Sequence, residues 1–374
     1  MKASCAQEDL SKGLAVVGRA VATRAVLPIT NNVLIATEGN RLKLAATNLE
    51  IATSCWIPGT IEKEGSITVP AKLVTDFVNS LPSGRVDMSL STRTKSLELR
   101  CARHEAHISG LDAADFPAIP KIAEGTTVKV KPADLRLAIS QVVFAAASEE
   151  SRPVLTGVQA EFEDKQLTLA AADGFRLAVH KVALASSVGA KMAVIIPARS
   201  LNELNRLIGD DEPVELTVNS QKTQVLCKLK NIEMVSQLIQ GSFPNYSQLI
   251  PKSYSTRAVI KLPEFLRATK SASIFARDGS GIVRIQIIPK DGKGKIAVSA
   301  RAEEIGDNVG EVDAAVEGEE SKIAFNSRYL MDVLGVLTKD EVALETTTSS
   351  SPGVIRPVGD DKYIHVVMPM FVQW

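Results

Sequence analysis

A helix-and-strand unit that recurs about every 64 residues constrains the fold of this chain more than any other feature. Amphipathic helix patterns, several of them opened by proline, start near residues 7, 71, 133, 198, 262 and 327. In the fourth, Leu201, Leu204 and Leu207 recur at helical spacing after Pro197, and proline is favoured at the start of a helix. A fixed period of this kind indicates one supersecondary unit copied along the chain, so the sequence predicts six copies.

Strand patterns fill the intervals between the helices. Apolar and polar residues alternate at residues 41–44, 96–100, 166–169, 225–229 and 295–298. This alternation is typical of half-buried antiparallel strands with one apolar face. Each unit is therefore expected to lay one helix on about four strands.

The units also pair at a longer period. Residues 42–48 are similar in sequence to residues 167–173. Phe116-Pro117 matches Phe243-Pro244, which lies 127 residues further along the chain. Proline ends strands and stiffens linkers, so such segments suit domain boundaries. The predicted fold class is α+β, with three similar domains (1–124, 125–252 and 253–374), each made of two copies of a helix on four antiparallel strands.

Composition excludes several classes of protein. Lys and Arg number 43, as do Asp and Glu, and a formal net charge of zero argues against binding to nucleic acid or membrane by bulk charge. The run 303–320 holds eight acids and neither Lys nor Arg, as expected of a solvated face. No apolar run approaches the ~18 residues of a membrane span, which predicts a soluble, cytoplasmic protein. The cysteines are scattered, which favours buried thiols over disulfides or zinc: Cys5, Cys55, Cys101 and Cys227.

No catalytic constellation can be assembled from the sequence. His104 and His107 lie three apart in a predicted strand, so their side chains should point to opposite faces. His180 and His365 are expected to be structural, and residues 173–174 suit a tight turn better than an isolated catalytic carboxylate. No phosphate-binding loop occurs. We therefore expect neither enzymatic activity nor a metal or cofactor.

Several strings of residues resemble the bacterial sliding clamp family, the β subunit of DNA polymerase III. They run in order from the first unit to the end of the chain, at Arg24 with 26–29, 152–158, 171–178, 243–246, 326–334 and 366–370. Each string is moderately specific, and together on a sixfold repeat they are highly specific.

The resemblance implies a head-to-tail homodimer that closes into a ring around double-stranded DNA. Two chains of six units would place twelve helices around a central hole, inside a continuous outer layer of strands. Closing the ring removes exposed strand edges. A head-to-tail contact closes only if the rotation from one subunit to the next is a whole fraction of 360°. In the family, domain one of one chain meets domain three of the other. The residues implied at that joint are Ala106 and Ile108 against Ile274 and Phe275.

A ring stays on DNA by topology, so its inner face needs only mildly basic helices. Phosphate contacts of this kind carry no sequence information and permit sliding. By the resemblance, the DNA-facing residues are Arg24, Lys72, Arg152 and Arg199.

The family's second surface is a pocket that captures short peptides from the replicative polymerase α subunit, the clamp loader, other DNA polymerases and repair proteins. Leu, Met and Pro side chains suit such an apolar wall, and Met adapts to varied ligands. The resemblance places the pocket at Leu155, Ala172, Gly174, Phe175, Arg176, Leu177, Pro244, Leu249, Asn326, Tyr329, Val367, Met368, Pro369 and Met370.

Some positions depart from the family pattern. Ala172 stands where many relatives have a hydroxyl residue, and Phe175 where some have His. Residues 371–374 are more aromatic than the usual end, and Trp374 is expected to narrow the pocket. Two alternatives remain: a β-rich repeat scaffold that binds peptides without encircling DNA, and a hydrolase whose site the sequence does not reveal.

Overall fold

A computed structural model describes residues 1–22, 27–91, 93–149, 151–209, 212–276, 281–290, 293–302, 304 and 306–374. The chain divides into two compact units. The first unit comprises Met1–Pro132 and Glu203–Leu238, and the second comprises Ala133–Asn202 and Ile239–Trp374.

The six predicted helices are present, and each begins within one residue of its predicted start. The last begins where the side chain of Asn326 accepts a hydrogen bond from the backbone N–H of Arg328 at 2.9 Å, a typical N-cap. The helices are α1 (Gln7–Val17), α2 (Ala71–Ser80), α3 (Pro132–Val142), α4 (Ala198–Leu207), α5 (Leu262–Ala276) and α6 (Ser327–Val336).

The predicted strands are also present, and between three and five of them follow each helix. They pair in antiparallel fashion throughout the sheets described below. The strands are β1 (Lys2–Ala6), β2 (Asn32–Glu38), β3 (Arg41–Thr47), β4 (Ile51–Pro58), β5 (Thr60–Lys63), β6 (Ser66–Pro70), β7 (Arg85–Ser91), β8 (Ser96–Cys101), β9 (His104–Ser109), β10 (Gly125–Val130), β11 (Gly157–Glu163), β12 (Gln166–Ala172), β13 (Arg176–Ala183), β14 (Met192–Pro197), β15 (Val214–Asn219), β16 (Gln224–Lys228), β17 (Ile232–Gln237), β18 (Thr256–Lys261), β19 (Ile282–Lys290), β20 (Lys293–Ala302), β21 (Gly306–Gly318), β22 (Ser321–Asn326), β23 (Glu341–Thr346), β24 (Gly353–Pro357) and β25 (Tyr363–Val367).

The first compact unit contains two sheets, in the orders β5-β1-β7-β8-β9 and β10-β15-β16-β17-β4-β3-β2-β6. Helix α1 buries Leu10, Leu14 and Val17 completely. A Cβ on Gly13 would lie 2.6 Å from a methyl carbon of Leu44, so this glycine allows α1 to pack closely on β3. Burial of this apolar stripe, rather than helix propensity, stabilises α1.

The second compact unit contains one sheet of twelve strands, in the order β14-β11-β12-β13-β25-β24-β23-β18-β21-β20-β19-β22. Helices α5 and α6 contact each other in this unit. Phe265 of α5, Phe325 of β22 and Leu330 of α6 are fully buried. Burying side chains of this size contributes roughly 1.5–3 kcal/mol each.

Strand pairing crosses the predicted domain boundaries. Ile232 of β17 lies opposite Cys55 of β4, and Arg176 of β13 lies opposite Val367 of β25. The strands of the predicted central domain therefore belong to two different sheets, which is why the compact units do not follow the predicted domains. The boundaries at 124/125 and 252/253 stay a prediction.

All four cysteines are buried free thiols, as predicted. Burial raises the pKa of Cys5 and Cys227 to about 12, so both remain protonated near neutral pH. No helix in the described part of the chain is long and apolar enough to cross a membrane.

Candidate functional site

Two concave sites in the second compact unit share the turn that joins β12 to β13. The first, which we call the apolar groove, has a volume of about 480 Å³ and is lined by Ala172, Gly174, Phe175, Arg176, Leu177, Gln248, Leu249, Pro251, Thr347, Ser351, Pro352, Val366 and Met368. The second, which we call the arginine cavity, has a volume of about 630 Å³ and is lined by Phe144, Ala146, Ala147, Ser148, Glu149, Ser151, Arg152, Leu155, Asp173, Gly174, Phe175, Arg176, Arg328 and Tyr329.

The shared turn is held by a carboxylate and a glycine. One carboxylate oxygen of Asp173 accepts hydrogen bonds from the backbone N–H groups of Phe175 at 2.9 Å and Arg176 at 3.0 Å. Gly174 has a φ of +95°, a conformation that favours glycine. The turn leaves the Phe175 side chain 59% exposed between the two sites. The predicted tight turn at residues 173–174 is confirmed.

Arg176 joins the elements that form the arginine cavity. Its guanidinium donates to Asp173 at 3.0 Å, to Asp332 of α6 at 2.6 Å and to the carbonyl oxygen of Phe144 at 2.7 Å. It also lies over the rings of Tyr329 at 4.4 Å and Phe144 at 5.3 Å. Only 8% of the side chain is exposed. Arg176 therefore fixes the cavity walls instead of remaining free for a ligand.

Two buried histidines lie behind this wall. The His365 ring stacks on Phe144 with centroids 5.5 Å apart, and its Nδ1 is 3.3 Å from the Tyr363 hydroxyl. Nδ1 of His180 donates to the amide oxygen of Gln141 at 2.8 Å, because that amide nitrogen already donates to a backbone carbonyl. Burial lowers the pKa of His180 to about 4 and that of His365 to about 3. Both are neutral near pH 7 and structural, as predicted.

The apolar groove suits aliphatic and aromatic side chains. Leu177 of β13 and Val366 of β25 are directly opposite each other on paired strands and line the groove together. Leu249 and Met368 leave 56% and 43% of their surface exposed there. The backbone N–H of Met368 donates to the carbonyl of Phe175 at 2.8 Å, which holds the chain end beside the turn. Such partly exposed apolar side chains in a concave site are typical of ligand pockets.

The structure brings together a large part of the predicted peptide pocket. The apolar groove contains Ala172, Gly174, Phe175, Arg176, Leu177, Leu249 and Met368, and the arginine cavity adds Leu155 and Tyr329. The remaining predicted residues line neither site. Pro244 is exposed, Asn326 caps α6, Pro369 is buried, and Met370 is half-buried with its N–H bonded to the Ala324 carbonyl.

The structure places Val366, not the predicted Val367, on the groove. Side chains alternate along a strand, so the two residues face opposite sides of β25, and Val367 is fully buried. The alternation of side chains along residues 363–367 identifies which of them share a face, but one residue on the groove must be known before that face can be assigned to it. Loop residues Gln248, Pro251, Thr347, Ser351 and Pro352 were missed, because no local pattern indicates which loops meet.

The four predicted DNA-facing residues have different surroundings. Arg24 lies outside the described residues. The side chain of Lys72 is 88% exposed and forms an ion pair with Asp76 one helical turn away, and Arg199 is exposed on α4. Arg152 is exposed but lines the arginine cavity, where its guanidinium lies near Gly174.

The predicted dimer contacts are only partly available at the surface. Ile274 of α5 is 62% exposed, and Phe275 is half-buried. Ala106 is half-buried, whereas Ile108 is 3% exposed and already packed within its own unit. Ala106 and Ile108 are two residues apart and therefore lie on the same face of β9, with Ile108 the more deeply buried of the two.

The aromatic tail does not narrow the groove. Phe371 is 86% exposed, and the Trp374 ring lies 5.9 Å from the ammonium nitrogen of Lys322 on β22. Neither lines the groove. The expectation that Trp374 narrows the pocket is wrong, because the hydrogen bond from Met370 to Ala324 directs the tail along β22.

Within the described residues, one group of side chains has metal-ligand chemistry. Ligand atoms of Glu98, Glu105 and His107 lie within 4.8 Å of one another on an exposed face of β8 and β9. Arg100 contacts both carboxylates, at 2.6 and 3.1 Å. A guanidinium therefore already provides the positive charge that these acids attract.

Comparison with known proteins gives one consistent result. The chain matches the N-terminal domain of the DNA polymerase III β subunit over residues 1–120, the central domain over 129–245 and the C-terminal domain over 247–371. It is 32% identical to a β sliding clamp of Staphylococcus aureus, with 94% of each chain covered, and 31% identical to that of Bacillus subtilis, with 99% covered.

Solved structures agree with this match. The crystal structure of the DNA polymerase sliding clamp from Bacillus subtilis superimposes with a TM-score of 0.94 at 30% identity, over the full length of both chains. The sliding clamp of Pseudomonas aeruginosa bound to griselimycin superimposes with a TM-score of 0.91 at 28% identity, again over both full chains. The chain, with its six helix-and-strand units and three matched domains, therefore belongs to the DNA polymerase III β subunit family, the bacterial β sliding clamps.

Proposed function

We propose that this chain is a DNA sliding clamp: a head-to-tail homodimeric ring that encircles duplex DNA and tethers the replicative polymerase and other partners. The full-length match to β sliding clamps, in domain order, carries the proposal. The proposed role is non-catalytic. Its partners are the polymerase α subunit, the clamp loader, other DNA polymerases and repair proteins, each binding through a short peptide.

Two strand edges support the proposed ring. β9 is the edge strand of its sheet, and among the described residues the part of β21 before Ala314 pairs only with β20. Val309 on that part of β21 and Ile274 on α5 are 63% and 62% exposed. Unpaired edges next to exposed apolar side chains favour association with a further strand. Val309 is therefore a second candidate for the interface, together with Ile274. Ile108 contributes its backbone N–H and C=O groups at the edge of β9, because its side chain is buried.

A charge placed in the proposed interface should prevent dimer formation. Ile274→Asp should give monomers at micromolar concentration, because an unpaired charge buried in an interface costs several kcal/mol. Leu249→Asp is the matched control, since Leu249 is exposed to a similar extent but lines the apolar groove. Light scattering should show a dimer for the parent and for Leu249→Asp. A stable monomer for the parent would refute the ring.

The apolar groove supports the tethering role. A peptide with one or two Leu or Phe anchors would bury them there at roughly 1.5–3 kcal/mol per side chain. After the cost of ordering the peptide, an affinity around micromolar is expected, weak enough for partners to exchange. Leu249→Asp should abolish binding of a polymerase-derived peptide in fluorescence anisotropy, while Ile274→Asp should preserve it.

The decisive experiment is retention on DNA after loading. The parent should stay on circular DNA through a high-salt wash and be lost when the DNA is linearised, because a ring can leave only over an end. Ile274→Asp should be lost from both. A scaffold that binds peptides without encircling DNA would be retained on neither, although its peptide affinity would be normal.

A further inference from the structure

A third concave site in the second compact unit lies on the other side of one chain segment from the apolar groove. This segment, residues 246–251, which we call the strap, contributes Leu249 and Pro251 to the groove and Tyr246 and Ile250 to the third site. The third site, which we call the lysine site, has a volume of about 380 Å³. The residues predicted for the peptide pocket, all of which the structure describes, do not line it.

The floor of the lysine site is apolar and continues beneath the strap. Val179 of β13 belongs to one buried cluster with Leu177 and Val366, both of which line the groove. Ile250 of the strap and Ile364 of β25 pack against the same cluster and line the lysine site. The two sites are therefore neighbours on a common hydrophobic core, one on each side of the strap.

Two lysines lie directly opposite each other in the lysine site. The backbone N–H of Lys181 donates to the carbonyl of Lys362 at 2.9 Å, which extends the pairing of β13 with β25 by one residue. The preceding residue, His180, contacts Gln141 of α3, so alternation places both lysines on the sheet face away from that helix. Neither lysine forms an ion pair with any described residue. Like charges at opposed positions of paired strands repel each other, so this pair destabilises the sheet until an anion neutralises it.

The other charges of the lysine site leave it positive. Nε of Arg356 donates to Glu345 at 3.2 Å, and Glu161 lies 2.9 Å from the ammonium nitrogen of Lys191. Asp361 is exposed and has no ion pair with any described residue. Two unpaired lysines therefore outweigh one unpaired aspartate.

We propose that the lysine site binds an acidic side chain of a partner peptide whose apolar anchor occupies the groove, with the peptide crossing over the strap. This inference rests on the proposed function and specifies its partners: peptides with a Glu or Asp at a fixed distance from the Leu or Phe anchor. Lys181 and Lys362 bind the carboxylate, and Val179 and Ile364 contact the methylene groups of a Glu. A strap one chain thick is spanned by about three to five extended residues, at roughly 3.4 Å each.

A peptide fits this site better than duplex DNA. In the proposed ring the helices face the DNA, whereas Lys181 lies on the sheet face away from α3. The apolar floor also suits the methylene groups of an acidic side chain, which a phosphate lacks. Contact of the two lysines with DNA is the competing outcome of the test.

Fluorescence anisotropy with synthetic peptides tests the proposal. Each peptide carries the same Leu and Phe anchors among Gly and Ser residues, with one Glu moved along the chain before or after the anchors, and has a Gln counterpart. At one spacing, the Glu should lower Kd three- to fivefold relative to Gln, about 0.7–1.0 kcal/mol. The gain should disappear at about 1 M salt, where the screening length is roughly 3 Å.

The variants assign that gain to the two lysines. Lys181→Gln and Lys362→Gln should each reduce the Glu gain to less than twofold and leave the Kd of the Gln peptide nearly unchanged. Each should also raise the melting temperature slightly, because the repulsion between the lysines is removed. Lys165→Gln is the matched control, since Lys165 is an exposed lysine that lines neither site, and it should preserve the gain in full. Asp361→Asn should increase the gain.

Several results would overturn the proposal. Glu and Gln peptides that bind equally at every spacing would do so, as would a Glu gain that persists in both lysine variants. Weaker binding of a short duplex by Lys181→Gln and Lys362→Gln, with an unchanged Glu-to-Gln ratio, would assign the lysines to DNA instead. Binding of the Gln peptide without any Glu gain would refute the lysine site and leave the groove intact, whereas no binding of any peptide to the parent would refute the groove itself.

Discussion

Basic side chains occur in two contrasting environments in this protein. Around Arg176, the guanidinium is nearly buried, contacts two carboxylates and a carbonyl, and lies against two aromatic rings. On the helix faces, Lys72 and Arg199 are exposed, and among the described residues Lys72 forms an ion pair only with Asp76. The first arrangement specifies shape, because several elements meet at one charge. The second provides positive charge without fixed geometry, which suits the proposed contact with a uniform DNA backbone.

The largest effect should come from removing a wall of the pocket region. Deletion of residues 368–374 takes away Met368 from the groove and the hydrogen bond from Met370 to Ala324. We expect peptide affinity to fall roughly hundredfold, because an apolar anchor loses its burial. Anisotropy with a polymerase-derived peptide measures this, and light scattering should still show a dimer.

A shorter deletion is the matched control. Removing residues 371–374 retains Met368 and Met370, and neither Phe371 nor Trp374 lines the groove. Peptide affinity should change less than about threefold, since no groove contact is lost. An equal loss in both deletions would mean that the tail itself binds the peptide.

Replacing Arg176 tests how far the pocket depends on one buried charge. Arg176→Ala leaves the Phe144 carbonyl without its donor and Asp173 and Asp332 without their counter-ion. We expect a loss of about 3 kcal/mol in the free energy of unfolding of the second compact unit. Urea denaturation followed by fluorescence measures it. Arg199→Ala, on an exposed helix face, should stay within about 0.5 kcal/mol of the parent.

Lowering the pH should destabilise the pocket region, where the two buried histidines lie, before it affects the exposed helix faces. The pKa of His180 is about 4 and that of His365 about 3 in the folded protein, both below the unfolded value of 6.5. The unfolded state therefore binds more protons below pH 6.5, and stability falls as pH decreases. Each histidine contributes a slope of about 1.4 kcal/mol per pH unit, down to about pH 4 for His180 and pH 3 for His365.

Melting temperatures between pH 7 and pH 4 measure this dependence. His365→Phe, which keeps the stacking on Phe144 and removes one titrating group, should have a shallower decline than the parent. Identical declines in the two proteins would show that burial of His365 does not control acid stability.

The smallest effect should come from the helix faces. Lys72→Ala removes an exposed ion pair at i,i+4 spacing, which contributes only about 0.3–0.5 kcal/mol. Stability and peptide affinity should therefore be nearly unchanged, while salt-sensitive DNA contact should weaken slightly. A stability loss above about 1 kcal/mol would remove the distinction between the two environments.

The repeat and its elements could be predicted because they depend on local periodicity. The spacing of Leu201, Leu204 and Leu207 fixes the apolar face of α4, and the alternation in residues 166–169 fixes the faces of β12. The tight turn at residues 173–174 followed from the preference of glycine for positive φ.

The details of the site depended on residues that are far apart in sequence. Arg176 meets Asp332 across 156 positions, and Val366 rather than Val367 faces the groove because β25 pairs with β13 in one register. Arg152 lines the arginine cavity, which no pattern in its own segment indicates, and its predicted contact with DNA stays a prediction. Periodicity within one segment shows which side of a helix or strand is buried. Only tertiary packing decides which distant side chains share a cavity, because strand register and loop contacts are not encoded in any single segment.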